Sequence, residues 1–450
     1  MHSSSIAQPS GLRPIPVSVF VLTCVAMIAS LVRSPPAKAD PPLTVVTFTF
    51  DDANADQLAA ASTLAANDMH GTFFVPSGHV GVTGYLTLND LTSLAASGHE
   101  IGGHTVTHLD LTTLPTDEAA RQVCNDRLNL TDWGFSVTSF AYPFAATNTA
   151  LEQVVQACGY NSARGLGDLA SRFGCSDCPY AETIPPENAL LTRALDQTDS
   201  SWTLSDLQNA VTNAQADGGW VQLTFHHICT DCGSLGVTPA LFSEFVSWLH
   251  QQTLSTNTVV RTVGQVVGGT VKPAVAGPAV PPMGPGANGA PNPSLETVGS
   301  DNVPECWMTG GYGTNTATWA RVTDAHSGQY AERLVVSGYV SGDARLLPML
   351  DLGACAPSVT AGRTYSLRAW YKSTTVTQFA LYYRTGVGTW VYWTSSPWFA
   401  ASASYVQATW TTPPVPTGVT GISFGLNLFG NGTLTTDDYA VYDSEYAPPA

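Results

Sequence analysis

The sequence predicts two domains of different class, an α/β domain built on a parallel sheet or barrel and an all-β sandwich that follows it. Strand-like and helix-like stretches alternate in the first part of the chain, and short runs rich in Thr, Val, Tyr and Trp recur in the last part. A stretch rich in Pro and Gly separates the two parts. At 450 residues the chain is long enough for two or three hydrophobic cores.

The part of the chain before residue 268 alternates apolar runs with amphipathic stretches, which is typical of a parallel sheet with covering helices. Catalytic residues in such folds gather at the C-terminal ends of the strands, so acids and histidines that follow a strand are candidates. The predicted strands lie at residues 45–50, 71–75, 137–142 and 220–225, and the predicted helices lie at residues 56–67, 88–97, 151–158, 204–216 and 239–251.

Residues 268–291 consist mainly of Gly, Pro, Ala and Val without an apolar period, which predicts a semi-extended linker. We therefore expect one domain at residues 40–267 and a second at residues 292–450. Turn residues separate the strand-like runs of the second domain, a pattern typical of a β-sandwich. These runs lie at residues 365–371, 378–383, 390–393, 405–410 and 419–428.

Residues 1–39 have the pattern of a secretory signal. Arg13 precedes an apolar run at residues 17–32, and Ala37-Lys38-Ala39 provides a small-residue cleavage site. The apolar run is shorter than the roughly 20 residues that a membrane-spanning helix needs. The sequence therefore predicts a secreted, extracellular or cell-wall-associated protein without membrane attachment after cleavage, and a retained N-terminal anchor is the alternative.

The chain is strongly acidic, with 17 Lys and Arg against 34 Asp and Glu. Removal of the predicted signal changes the formal net charge from −17 to −20, because Arg13, Arg33 and Lys38 leave and no acid does. Nucleic acid is not an expected partner, since phosphate binding needs clustered Lys and Arg. A neutral or cationic polymer fits this charge better than an anionic one.

Eight of the nine cysteines follow the predicted signal, and an even number in an exported chain predicts disulfides. The second domain contains two of them, which predicts a bridge between Cys306 and Cys355. The pairing in the first domain stays open, because its two Cys-x-x-Cys pairs also have the ligand spacing of a four-sulfur zinc site. The first-domain cysteines are Cys124, Cys158, Cys175, Cys178, Cys229 and Cys232.

Two adjacent carboxylates, Asp51 and Asp52, follow the predicted strand at residues 45–50. Neighbouring acids repel each other, so such a pair usually has a cation beside it. A helix N-cap would account for one of the two acids but not easily for both. The pair therefore indicates a functional site.

Histidines occur at two further places. His104 and His108 are four residues apart, a spacing that lets two imidazoles face one ion, and one carboxylate would complete the three protein ligands of an open catalytic metal site. The zinc-protease helix motif is not matched, since no Glu follows His104. His226 and His227 directly follow the strand at residues 220–225. An imidazole at such a strand end is suited to proton transfer near neutral pH.

Taken in order, these motifs resemble the polysaccharide deacetylases of carbohydrate esterase family 4. The resemblance covers roughly residues 43–267 and implies a distorted, incomplete (β/α) barrel that removes N- or O-acetyl groups from sugars. The matching residues are Thr49-Phe50-Asp51-Asp52, Gly98-His99-Glu100-Ile101 leading to His104 and His108, Phe140-Ala141-Tyr142-Pro143-Phe144, and residues 223–226.

Carried onto this sequence, the resemblance implies a role for each motif residue. Asp52, His104 and His108 would bind a divalent metal, usually Zn²⁺. Asp51 would be the general base and His226 the general acid. The backbone N–H of Phe144 would help to hold the oxyanion, and Tyr142 and Pro143 of the same motif are expected to contact the substrate.

The sequence departs from the family pattern at three points. An Arg that orients the base is common in the third motif, and Ala141 stands there; Arg193 is the candidate substitute because a guanidinium can bind a carboxylate with two bonds. The Asp that orients the acid histidine could be either Asp196 or Asp199. His227 stands where an Asp often follows the last histidine, so His226 and His227 could exchange roles.

The second domain resembles the jelly-roll carbohydrate-binding modules that accompany polysaccharide enzymes. Alternation along a strand places Trp390 and Tyr392 on one face, where planar side chains can stack on sugar rings, and core packing is the alternative.

The motifs together predict a metal-dependent hydrolase that removes acetyl groups, N-acetyl in the first place, from a polysaccharide such as chitin or peptidoglycan. Two alternatives remain: a glycan-binding protein whose barrel has lost its chemistry, and an O-acetyl xylan esterase on the same fold. The expected partner is an acetylated polysaccharide, and the expected oligomeric state is a monomer.

Overall fold

The computed structural model describes residues 41–299 and 302–449, and its first domain is built on a parallel sheet. The predicted signal at residues 1–39 lies outside the described residues. The strands of this domain are β1 (Thr44–Phe50), β2 (Gly71–Val75), β3 (Glu100–Gly103), β4 (Ser139–Ala141), β5 (Ser162–Arg164), β6 (Gly219–Phe225), β7 (His227–Ile228), β8 (Gly236–Val237) and β9 (Thr258–Val260).

The main sheet has the order β5-β4-β3-β2-β1-β6, and β9 pairs with the first half of β1. All of its strand pairs are parallel. Among the described strands β5 and β6 are the two ends of this order and do not pair, so the sheet forms an incomplete barrel, as predicted. Isolated bridges from Glu182 to Trp220 and from Arg164 to Thr192 lie in the gap between them.

Helices connect and cover the strands, as parallel connections require. The five predicted helices and the four predicted strands are all present, with ends that differ by a few residues. No helix was predicted between residues 98 and 136, where the structure contains α3. The helices are α1 (Leu58–Ala65), α2 (Leu88–Ala96), α3 (Thr116–Asp132), α4 (Thr149–Ala157), α5 (Leu204–Ala214), α6 (Pro239–Ser255) and α7 (Val263–Val267).

The second domain is the predicted antiparallel sandwich. Its two five-stranded sheets share one apolar core and have the orders β10-β13-β18-β15-β16 and β11-β12-β19-β14-β17. The strands are β10 (Trp307–Tyr312), β11 (Thr316–Val322), β12 (Ala331–Ser337), β13 (Asp343–Pro348), β14 (Tyr365–Ser373), β15 (Gln378–Thr385), β16 (Trp390–Ser395), β17 (Ser402–Thr411), β18 (Val419–Leu428) and β19 (Gly432–Asp443).

All eight cysteines after the predicted signal are paired in the structure. Cys306 is bonded to Cys355, as the sequence predicted. In the first domain the pairs are Cys124 with Cys158, Cys175 with Cys178, and Cys229 with Cys232. The sulfur atoms of the two Cys-x-x-Cys pairs are therefore bonded within each pair rather than arranged as a four-sulfur zinc site.

Residues 268–291 contain no helix or strand, but they are held along α3. The guanidinium of Arg127 donates to the carbonyls of Lys272 at 2.6 Å and Pro273 at 3.0 Å. The backbone N–H of Gly277 donates to Asn125 at 2.8 Å. The described residues from Pro41 onward belong to one compact unit, so the predicted linker is a docked segment rather than a free spacer.

No helix within residues 41–299 and 302–449 combines the length and apolar character that crossing a membrane requires.

A buried acid on β12, Glu332, makes the stability of the chain depend on pH. Burial raises the pKa of Glu332 from 4.5 to about 7, although Arg321 opposes the shift. The folded state therefore binds more protons than the unfolded state between these two values, and the free energy of unfolding falls as pH rises through that window. We expect Glu332→Gln to remove this loss, so that the variant gains roughly 2 kcal/mol relative to wild type between pH 5 and pH 8. Denaturant unfolding at both pH values measures the change, and a difference that is independent of pH would contradict it.

Candidate active site

The carboxyl ends of β1, β3, β4 and β6 meet around one cavity of about 690 Å³. Each of these strands is followed directly by a candidate residue, because a parallel sheet brings the carboxyl ends of its strands to one edge. The candidate side chains Asp51, Asp52, His104, His108 and His226 all line the cavity. The structure therefore brings together residues that lie up to 175 positions apart in the sequence.

Asp52, His104 and His108 form a compact cluster on one wall of the cavity. Oδ1 of Asp52 lies 3.4 Å from Nε2 of His104 and 3.0 Å from Nε2 of His108. These three side chains can each offer one ligand atom within 4.8 Å of the others. One carboxylate and two imidazoles are the donor set of an open catalytic zinc site, so the residues present fit a divalent metal.

The surroundings of His104 prepare its Nε2 for a cation. Its Nδ1 lies 2.7 Å from the carbonyl oxygen of Ala141, so Nδ1 donates to that carbonyl and Nε2 is left facing Asp52. Burial by itself lowers the pKa of His104, but the hydrogen bond to Asp52 and the charges of Asp51 and Asp52 raise it above the usual value. A positive charge is thus favoured between His104 and the two aspartates. A bound metal would supply this charge in place of a proton.

Asp52 is ionised in this environment. Burial opposes its ionisation, but hydrogen bonds with His104 and His108 outweigh burial and hold the pKa of Asp52 below its usual value.

The backbone around the cluster is strained, because Asp52, Thr105 and His108 have φ values of 75°, 69° and 57°. Such left-handed conformations cost about 1–3 kcal/mol each in non-glycine residues and persist only where the surrounding structure holds them.

Asp51 lies behind the cluster, nearly fully buried, and pairs with Arg164 rather than with Arg193. Nη2 of Arg164 donates to both carboxylate oxygens of Asp51, at 2.7 and 2.5 Å. Arg164 ends β5 and stands opposite Ala141 of β4 in the sheet register. The guanidinium missing at position 141 is therefore supplied from the same level of the neighbouring strand.

The prediction that Arg193 orients Asp51 is corrected by this geometry. Thr192, not Arg193, bridges to Arg164, and alternation along the chain turns the Arg193 side chain to the other face. Its guanidinium lies 3.2 Å from Glu182 and 2.5 Å from Glu187. Arg164 could not be recognised in the sequence because a strand of three residues gives little periodic signal.

His226 lines the cavity, whereas His227 turns away from it. Nδ1 of His227 lies 2.7 Å from Asp56, so the structure favours His226 for the predicted role in proton transfer. Burial lowers the pKa of His226, which the charges of Asp51 and Asp52 oppose. Nδ1 of His226 has no hydrogen-bond partner within the described parts of the chain.

No hydrogen bond joins either predicted orienting acid to His226 within the described residues. Asp196 and Asp199 both line the cavity. Asp196 accepts a hydrogen bond from the hydroxyl of Ser171, and Asp199 accepts from the backbone and hydroxyl of Ser201.

The third motif forms part of the cavity wall. Phe144 has a φ of 57°, and its exposed ring packs on His108 with ring centroids 4.8 Å apart. Tyr142 lines the cavity with its ring, while its hydroxyl donates to the carbonyl of Leu190 at 3.0 Å. Pro143 is buried and begins a short helical turn, so its contribution is to the backbone rather than to the cavity surface.

In the sandwich, Trp390 and Tyr392 differ in exposure. The indole N–H of Trp390 donates to the carbonyl of Asp351, and its ring lies beside Arg384. Tyr392 is 54% exposed and packs edge-on against Tyr382. Tyr392 thus offers an open aromatic surface, whereas Trp390 takes part in packing.

Residues 38–163 match the family described as polysaccharide deacetylase. The matched segment contains Asp51, Asp52, His104 and His108 and ends just before Arg164. The resemblance to this family is thereby confirmed for residues 38–163, which contain the motifs up to Phe144. No curated protein matches the chain.

Solved structures of low sequence identity are also similar to the chain. The Xyl-CE4 domain of a multidomain xylanase from the hindgut metagenome of Trinervitermes trinervoides is 17% identical, with a TM-score of 0.33 over 50% of this chain and 89% of that chain. The peptidoglycan deacetylase PdaC from Bacillus subtilis is 19% identical, with a TM-score of 0.33 over 50% and 91%. A family 4 acetyl xylan esterase from Clostridium thermocellum is 19% identical, with a TM-score of 0.34 over 50% and 90%.

Proposed function

We propose that this chain, whose residues 38–163 match the polysaccharide deacetylases, is a secreted, metal-dependent hydrolase that removes acetyl groups from a polysaccharide. The observation that supports the proposal is the cluster of Asp52, His104 and His108. Asp51 lies beside this cluster and is hydrogen-bonded to Arg164. His226 lines the same cavity. Four disulfides and the signal pattern at residues 1–39 support an extracellular location.

Zn²⁺ fits the cluster because two imidazoles and one carboxylate are donors that it prefers. Oδ1 of Asp52 lies close to Nε2 of both His104 and His108, which is consistent with a site where these three atoms hold one cation. When bound, such a metal supplies Lewis acidity and lowers the pKa of a coordinated water toward about 7.

The residues around the cluster have the properties that hydrolysis of an acetyl group requires. The carboxylate of Asp51 is held by Arg164, so it is placed to accept the proton of the attacking water. The lowered pKa of His226 makes its protonated form a better donor to the departing amine or alkoxide. The backbone N–H of Phe144 is the proposed donor to the oxyanion, an interaction worth about 3–4 kcal/mol in comparable sites.

The proposed substrate is an N-acetylated polymer such as chitin or peptidoglycan. The net charge of −17 favours neutral or cationic chains, and deacetylation of amino sugars produces cationic ones. We also propose that the sandwich contacts the glycan, with Tyr392 as the exposed aromatic residue that can stack on a sugar ring.

Acetate release by the purified protein tests the proposal. We expect release from at least one member of a panel of chitin, peptidoglycan and acetylated xylan. Chelation should lower the rate by about a hundredfold or more, because the metal contributes several kcal/mol to the transition state, and added Zn²⁺ should restore it. Release from xylan alone would point to the O-acetyl esterase. No release on any polymer, with retained binding to an insoluble glycan, would favour a binding protein.

A further inference from the structure

Helix α3 lies between the loop that contains His104 and His108 and the sandwich domain, and it buries polar side chains toward both. Glu118, Gln122 and Asp126 are spaced four residues apart, which places them along one face of the helix. All three are fully buried. Buried polar groups are costly unless they form hydrogen bonds, so their partners show what this face holds in place.

On one side, α3 holds the backbone of the histidine loop. Asp126 accepts from the N–H groups of Ser77 at 2.8 Å and His104 at 2.9 Å. The side chain of Gln122 accepts from the N–H of Thr107 at 3.0 Å, and its backbone carbonyl accepts from Val106 at 3.1 Å. Because Thr105 and His108 have left-handed φ values, this loop needs such support to keep its shape.

On the other side, α3 forms hydrogen bonds with the sandwich. Glu118 accepts from the backbone N–H of Leu352 at 2.7 Å and from Gln122 at 3.1 Å. The amide of Asn129 donates to the carbonyl of Val387 at 2.9 Å and to the hydroxyl of Ser77 at 3.0 Å. The same helix thus contacts both the sandwich and the segments beside the predicted metal ligands, and Asn129 contacts both by itself.

The turn between β15 and β16 also touches the histidine loop directly. A Cβ atom added at Gly388 would lie 2.4 Å from Cγ1 of Val106, which stands between His104 and His108 in the sequence. At this turn the sandwich therefore packs directly against the histidine loop.

We propose that the sandwich domain is a structural support of the metal site, and that Glu118, Gln122, Asp126 and Asn129 are positioning residues that transmit this support to His104 and His108. The inference rests on the proposed function, because it takes the loop histidines as metal ligands. Disturbing the contact between the sandwich and the loop then weakens metal binding while leaving every ligand in place.

Two glycines of the sandwich provide a matched pair of variants. Gly388 and Gly362 have similar positive φ values, 92° and 82°, so alanine strains the backbone at both. Only the alanine at position 388 would press on Val106, because nothing lies within 4 Å of a Cβ atom at position 362. We expect Gly388→Ala to raise the Kd for Zn²⁺ by about tenfold, the lower end of the range for residues that support metal ligands. Gly362→Ala should leave the Kd unchanged.

The Kd is measured on the full chain by competition with a chromogenic zinc chelator, together with the thermal midpoint of each variant. Equal zinc affinities for Gly388→Ala and Gly362→Ala would overturn the inference. If Gly388→Ala does not fold, Asn129→Leu decides, since it removes the amide that joins Val387 to Ser77; an unchanged Kd in that variant overturns the inference as well. A wild-type chain that binds no Zn²⁺ would refute the proposed function itself, whereas tight binding by wild type and all variants alike would refute only the role of the sandwich.

Discussion

Asp51→Asn is expected to lower kcat for acetyl hydrolysis by about 10²- to 10⁴-fold, the contribution that a positioned proton acceptor typically makes. The amide has the size of the carboxylate but cannot accept the proton of the attacking water. The measurement is acetate release under saturating polymer, on whichever substrate the wild-type protein hydrolyses.

Zinc affinity separates this role from metal binding. Asp52, not Asp51, lies within ligand distance of both His104 and His108, so Asp51→Asn should bind Zn²⁺ with a Kd within about tenfold of wild type. Parallel loss of zinc and activity would show that Asp51 acts as a ligand instead. A kcat close to wild type would exclude Asp51 as the base.

Arg164→Gln is expected to reduce both activity and stability. The side chains of Arg164 and Asp51 are almost completely buried, and removing one partner of a buried ion pair costs about 3–5 kcal/mol because the other charge is left unpaired. A carboxylate displaced by about 1 Å can lose roughly a hundredfold in rate. Denaturant unfolding and kcat measure the two effects.

Arg193→Gln is the matched control for this prediction. Its side chain is 31% exposed and its guanidinium contacts Glu182 and Glu187, so its loss should leave kcat close to wild type. A large loss in Arg193→Gln together with a small one in Arg164→Gln would contradict the pairing seen in the structure. In the Asp51→Asn background, Arg164→Gln should cost much less activity than alone, because residues in contact are not additive.

Much of the fold and most of the site could be predicted from the sequence. The buried strands β1 and β6 are continuous apolar or Thr-containing runs that end in acids or histidines, and such runs are readable without a structure. Because the carboxyl ends of parallel strands meet at one edge, Asp51, His104 and His226 were expected to converge, and they do.

The partner of Asp51 could not be predicted in the same way. Arg164 replaces the guanidinium missing at Ala141 only because β4 and β5 align these two residues in register. Register depends on the packing of the whole sheet, and a strand of three residues carries too little pattern to fix it. The choice of Arg193 failed for this reason.

Helix α3 escaped prediction because it buries polar residues. Glu118, Gln122, Asp126 and Arg127 are fully buried, so the apolar period that marks an amphipathic helix is interrupted. Burial of these polar side chains is stable only because the histidine loop and the sandwich supply hydrogen-bond partners.

The sequence by itself thus determined the two fold classes and which strands are followed by acids or histidines. It also determined which residues are proposed as metal ligands, because each of these features depends on local pattern or on a motif. Only the tertiary structure decided which arginine holds Asp51, which histidine faces the cavity and how the sandwich meets the first domain. These contacts join residues that are far apart in the chain, such as Asn129 and Val387. Local sequence has no information on such pairs, since they are fixed by the packing of complete elements against one another.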